Sequence, residues 1–268
     1  MRRAIVAPSA KPVTLAPVRP NQGFNGAYRR RLTRLIDLMH TSLVYWLRAC
    51  WRANEPELAQ DASPARVLRR TIAKLSRRWQ RRFDELAPAL AQGFADSAMG
   101  RADGAFQSSL KRAGFAVDFR LTREANDALQ ATIGENVGLI RSIAAEHLAD
   151  AEGIVMRRVQ TGQALGDLTN QLQERYGFTR HRAAFIARDQ NSKATATVVC
   201  MRQEGLGITE AIWLHSHGGK HLRASHLAAD GKRYKISEGL CLDGVWAWPG
   251  REPNCRCVSR SVVPGLDR

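Results

Sequence analysis

The stretch Ser63–Leu86, SPARVLRRTIAKLSRRWQRRFDEL, decides the fold class. Leu68, Ile72, Leu75, Trp79, Phe83 and Leu86 recur at three- and four-residue steps, which lays one apolar stripe along an α-helix and fits no strand period. Ser63 reads as the N-cap, with Pro64 at the first helical position. Arg66, Arg69, Arg70, Lys74, Arg77, Arg78, Arg81 and Arg82 cover the rest of the surface, with no acid between Asp61 and Asp84. Like charges at helical spacing repel one another, and pairing with phosphate or an acidic protein surface relieves that repulsion. The plainer reading is a solvated face whose long side chains shield the apolar stripe. These eight residues form the candidate polyanion-binding set.

The same period extends on both sides. Leu32, Leu35, Ile36, Met39, Leu43, Trp46 and Leu47 make 27–53 an amphipathic helix. Pro88 is expected to end or kink the basic helix. No proline intervenes between Pro88 and Pro249, which favours long helices, read as 89–113, 122–150, 163–176 and 179–204. Gly114, Gly162 and Gly177 are read as links, Thr179 as the N-cap of the last helix and Gly205 as its stop. After Gly207 the texture changes. Ile208 to Leu214 reads as a strand, and a short basic strand follows around Tyr234 and Ile236.

The expected architecture is mainly α: an elongated helical N-terminal body followed by a small C-terminal α+β module. Residues 1–26, with four of the ten prolines in the first 20 positions, read as a disordered basic arm. Residues 27–160 read as a basic helical domain and 161–268 as the terminal module.

Bulk composition narrows the function. The 268 residues, 44% hydrophobic and 25% charged, are enough to bury a core. No apolar run reaches the roughly 18 residues of a membrane-spanning helix, and Met1–Pro20 lacks the apolar core of a secretory signal. A membrane partner and a secreted disulfide scaffold are therefore not expected. The net charge is +16; residues 1–113 hold 21 Lys/Arg against 8 Asp/Glu, and residues 114–268 hold 20 against 17. The excess lies in the first part and predicts salt-sensitive attraction to DNA or to an acidic protein.

Chemistry-bearing side chains crowd near the end. His215, His217, His221 and His226 fall within twelve positions, and Cys241, Cys255 and Cys257 within 17. His226 with Cys241, Cys255 and Cys257 offers a four-ligand set for zinc, because imidazole and thiolate are the usual donors to that ion. A Cys-x-Cys pair puts both thiols on one side of a strand or tight turn. A disulfide from Cys241 to one of the pair and ordinary buried thiols are the competing readings. Cys50 and Cys200 read as buried filler. Neither a His-Glu-x-x-His metalloprotease motif nor a nucleotide-binding loop is present, and no catalytic set emerges from the pattern.

The order of elements carries a resemblance. Trp213, the Arg223-x-x-His226 pair, Asp230-Gly231 and the closing Pro253-Asn254-Cys255-Arg256-Cys257 resemble the phage Mu F-like minor head protein family, also called the phage head morphogenesis family. The segment Arg182 to Gln190 is similar to that family's arginine-alanine helix, with Asp189 and Gln190 where Thr and Glu are usual. The resemblance covers roughly residues 160–260. It implies a minor capsid protein made in the bacterial host cytoplasm and incorporated in few copies into the virion, in the capsid interior near the portal. It further implies portal protein, scaffold or other capsid proteins as partners, with phage DNA as a further contact. No cofactor is implied, and zinc enters only through the His/Cys spacing. The alternative from a different class is a metal-dependent, zinc-using enzyme acting on nucleic acid or capsid proteins.

Overall fold

The computed structural model describes residues 12–54, 63–120, 122–161, 165–218 and 222–264. The fold is mainly α, with a small C-terminal region of antiparallel strands. In chain order the elements are β1 (Val13–Thr14), α1 (Gln22–Asn54), α2 (Ser63–Arg112), α3 (Arg123–Thr161), α4 (Leu165–Gly205), β2 (Glu210–Leu214), α5 (Ala224–Ala228), β3 (Arg233–Lys235), β4 (Leu240–Leu242), β5 (Val245–Ala247) and β6 (Val258–Val263). Among the described residues no helix is long and apolar enough to cross a membrane.

Several helix boundaries differ from the sequence expectation; the helix read as 122–150 runs on to Thr161. Pro88 lies inside α2 and does not end it. Its ring is exposed, while the neighbouring Ala87 and Ala91 are fully buried, so packing holds the helix across the one backbone hydrogen bond that proline removes. Gly177 likewise lies within α4. Thr179 is therefore not an N-cap; its hydroxyl donates to the Arg175 carbonyl 2.9 Å away, one helical turn back. The link read at Gly162 lies outside the described residues.

The chain forms two compact units. The first comprises Gly26–Gly93 and Ile133–Ala187, and its only regular elements among the described residues are helices. Its core is the apolar stripe read from the sequence: Leu32, Ile36, Met39, Leu43, Ile72 and Phe83 are fully buried. Trp46 departs from that stripe and is 47% exposed. All eight cations of the basic stretch are exposed on α2, and Arg82 pairs with Glu85 at 3.4 Å.

The second unit comprises Met1–Asn25, Phe94–Thr132 and Arg188–Arg268. Its four-stranded antiparallel sheet has the order β1-β6-β2-β3. Trp213, wholly buried on β2, packs with Phe106, Val199, Cys200, Tyr234 and Ile236. Residues 12–20, read as part of a disordered arm, supply β1, which pairs Val13 with Val263, and they bury Leu15 and Val18. Residues 1–11 of that arm lie outside the described residues. Arg202 is buried and bonded through two nitrogens to Asp103, both at 2.8 Å, with its third donor on the Arg120 carbonyl. Such a forked pair satisfies the guanidinium away from water.

Candidate functional site: a buried histidine between two thiols

The terminal module brings three chain segments to one point. β2 delivers Trp213 and then His215 and Ser216; α5 delivers His226; the loop 249–257 delivers Cys255 and Cys257 just before β6. Gly250 opens that loop at φ +83°, and a Cβ there would meet the Ala196 Cβ at 3.0 Å and the Cys257 carbonyl at 3.1 Å. Only glycine fits both constraints. Asn254 also has positive φ, 58°. Its backbone N–H donates to Asp189, and its side-chain oxygen accepts from Arg188 at 3.1 Å. The closing motif is thus pinned to α4 by the Arg188-Asp189 pair. Asp189 itself is buried, with Lys193 at 3.1 Å from its carboxylate.

His226 is 4% exposed and fully determined by its neighbours. Its Nε2 lies 3.0 Å from a Glu252 carboxylate oxygen, and Glu252 is held by Arg223 at 3.0 Å. Arg223 also donates to the Pro253 carbonyl at 2.8 Å. A carboxylate can only accept, so Nε2 carries a proton and donates it to Glu252. Nδ1 faces Cys255 Sγ at 3.5 Å and Cys257 Sγ at 3.7 Å. The Trp213 ring meets the imidazole edge-on, with centroids 5.2 Å apart.

The two thiols are not equivalent. Donation from Cys257, with the backbone N–H groups of Cys257 and Gly250, holds Cys255 well below the usual thiol range. The same sharing, with burial, pushes Cys257 up, against the pull of the Trp213 indole and the Ser216 backbone N–H. The pair therefore titrates as one unit, and N–H donors converge on both sulfurs.

Beside the cluster lies a cavity of about 250 Å³ lined in part by His215, Leu222, Arg223, His226, Cys255 and Arg256. Burial and the neighbouring His217 hold His215 below the ordinary imidazole range. Asp230 accepts from the His215 backbone N–H at 2.8 Å and meets the His217 ring at 2.9 Å. Gly231 follows at φ +77°, and its N–H donates to the Trp213 carbonyl at 2.8 Å. The Asp-Gly pair thus turns the chain back onto β2.

The structure unites three of the four candidate ligands. His226, Cys255 and Cys257 place one ligand atom each within 4.8 Å of one another. Cys241 is exposed on β4 and outside that group, because the short β4–β5 hairpin turns its face outward. All five cysteines are free thiols. Trp246 on β5 is 56% exposed, whereas Trp248 donates its indole N–H to the Ile236 carbonyl at 2.8 Å. His221 lies outside the described residues. The resemblance already takes in Asp189, whereas neither it nor the spacing singles out Glu252, although Glu252 stands next to the closing motif.

Residues 150–260 match the family model described as Phage Mu protein F like protein. The chain is also 26% identical over 257 residues to an uncharacterized protein of Haemophilus influenzae, a match covering 94% of this chain and 55% of that protein. The chain therefore spans about half the length of that relative. No solved structure matches.

Proposed function

We propose, with the Phage Mu protein F like match over residues 150–260 as the premise, that the chain is a minor structural protein of a phage head that acts in head morphogenesis. That match is the observation that carries the reading. It coincides with the region where the Arg223, Asp230-Gly231 and closing Cys-Arg-Cys elements build a packed module. In this reading the protein enters the capsid interior in few copies near the portal. Its partners are portal protein, scaffold or other capsid proteins.

The exposed cations of α2 supply the contact to phage DNA or to an acidic head-protein surface. Eight positive charges without an interleaved acid bind a polyanion by releasing its counterions, so the contact weakens steeply with salt. An assembly component acts through association, and we assign it no catalytic residue. The metal-dependent enzyme alternative would use the cavity beside His226; cleavage of DNA or of capsid proteins by the purified chain would favour it.

The direct test is quantitative mass spectrometry of procapsids and virions from the phage that encodes the chain. The proposal expects the protein in both, in few copies per portal, and aberrant or fewer heads when its gene is deleted. Its presence in the lysate but absence from both particles would overturn the reading.

A further inference from the structure

We propose that His226 Nδ1, Cys255 Sγ and Cys257 Sγ are three ligands of a single zinc ion, with a fourth position open to the neighbouring cavity. The inference is independent of the head-assembly reading. With Zn–S near 2.3 Å and Zn–N near 2.0–2.1 Å, tetrahedral angles require N···S separations of about 3.5–3.6 Å. The two separations here are 3.5 and 3.7 Å.

A hydrogen-bonded account is less economical. Nδ1 has a single in-plane bonding direction, whether it donates or accepts, yet two sulfurs stand at nearly the same distance from it. A metal centred between the three atoms uses all of them at once. Glu252 on the far nitrogen gives the carboxylate–histidine pairing that fixes the tautomer and orientation of a zinc-bound imidazole. Gly250 donates its N–H to Cys255 Sγ at 3.3 Å, the kind of contact that neutralises part of a thiolate's charge.

Cys241 is not a ligand, which corrects the four-residue set suggested by spacing. No fourth His, Cys, Asp or Glu joins the group among the described residues. We assign the remaining position to an exchangeable solvent ligand in the adjoining cavity, whose wall carries Arg223 and Arg256.

The test uses the full chain purified under reducing conditions. Elemental analysis should return one zinc per chain. Replacement by cobalt(II) should give thiolate-to-metal charge-transfer absorption with tetrahedral d–d bands, and added azide should shift those bands. Cys255→Ser or Cys257→Ser should abolish the charge-transfer signal. Since removing a buried thiol can also unfold the module, Glu252→Gln is the second variant: it keeps all three ligands and should weaken zinc binding about 10–100-fold. Cys241→Ser should bind as the unaltered chain does. A metal-free chain showing no charge-transfer absorption on cobalt titration would overturn the site. An unchanged affinity in Glu252→Gln, or a loss in Cys241→Ser equal to that in Cys255→Ser, would overturn the ligand set. Bands indifferent to azide would overturn the open position.

Discussion

Two buried histidines, one in each unit, show how a ring's partners decide its role. His147 in α3 is wholly buried in the helical unit. Its Nδ1 lies 2.8 Å from Thr179 Oγ1, whose own hydrogen is committed to the Arg175 carbonyl. Nδ1 must therefore carry the proton, which leaves Nε2 as an acceptor with no partner. His226 in the terminal module is held the other way round, with an Nε2 proton toward Glu252 and Nδ1 toward two sulfurs. One ring is neutral filler that a proton would disrupt. The other is held by a carboxylate that turns its second nitrogen to two sulfurs.

The largest effect should come from breaking the second arrangement. His226→Ala removes the ring against Trp213, takes one partner from Glu252 and opens a core void, for a cost of about 3–5 kcal/mol. Urea unfolding followed by tryptophan fluorescence checks it, and a midpoint unmoved from the unaltered chain would count against the packing described.

Acid should break the first arrangement. Burial, then the nearby His40 of α1 and Arg175 of α4, lower His147 from 6.5 to about 4. Unfolded His147 thus takes up its proton near pH 6.5 while the folded ring resists until about pH 4. The contribution is fully present above pH 6.5 and is lost as pH falls toward 4, amounting to about 3 kcal/mol. His40, with its own shift in the same direction from burial, steepens the loss. His147→Leu should flatten the dependence. Equal slopes in the two proteins, measured by denaturant unfolding between pH 7 and 4.5, would contradict this.

A smaller effect sharpens the comparison at the closing loop. Gly250→Ala forces a side chain into the left-handed region and against Ala196, at about 1–2 kcal/mol. It should also loosen the Cys255 environment, read as a faster reaction with a thiol reagent. A thiol no more reactive than before would argue that the loop tolerates the methyl group.

The smallest change in stability belongs to α2. Reversing Arg77, Arg78, Arg81 and Arg82 to Glu should alter folding by only about 0.5 kcal/mol per residue, because all four are exposed. DNA affinity and its salt slope should fall together, by roughly 0.9 in slope for each phosphate no longer neutralised. An unaltered salt titration would sever this face from polyanion binding.

The helical unit is legible in the sequence because burial there follows one period: Leu32, Ile36, Met39 and Leu43, like Leu68, Ile72 and Phe83, are all buried. Local signals mislead where tertiary packing outweighs them. Pro88 and Gly177 read as breaks, yet both lie within continuous helices. Val13 and Thr14 form a strand too short to show alternation, and its partner Val262–Val263 is some 250 positions away. Asp243-Gly244 turns the β4–β5 hairpin with both residues at positive φ, a dipeptide that signals a hairpin at short range. At the site, residue types and the Cys-x-Cys spacing identify His226, Cys255 and Cys257. Cys241 is separated from them only by the outward face of its hairpin, which has no signature in spacing.

The measurement that bears most directly on the contrast is long-range ¹⁵N–¹H correlation of the histidine rings at neutral pH, with His147→Leu and His226→Gln for assignment. The account predicts His147 as the neutral Nδ1–H tautomer, and His226 as the Nε2–H form with Nδ1 unprotonated. A proton on Nδ1 of His226 would contradict the account, since that nitrogen could then neither face two thiols as an acceptor nor hold a metal.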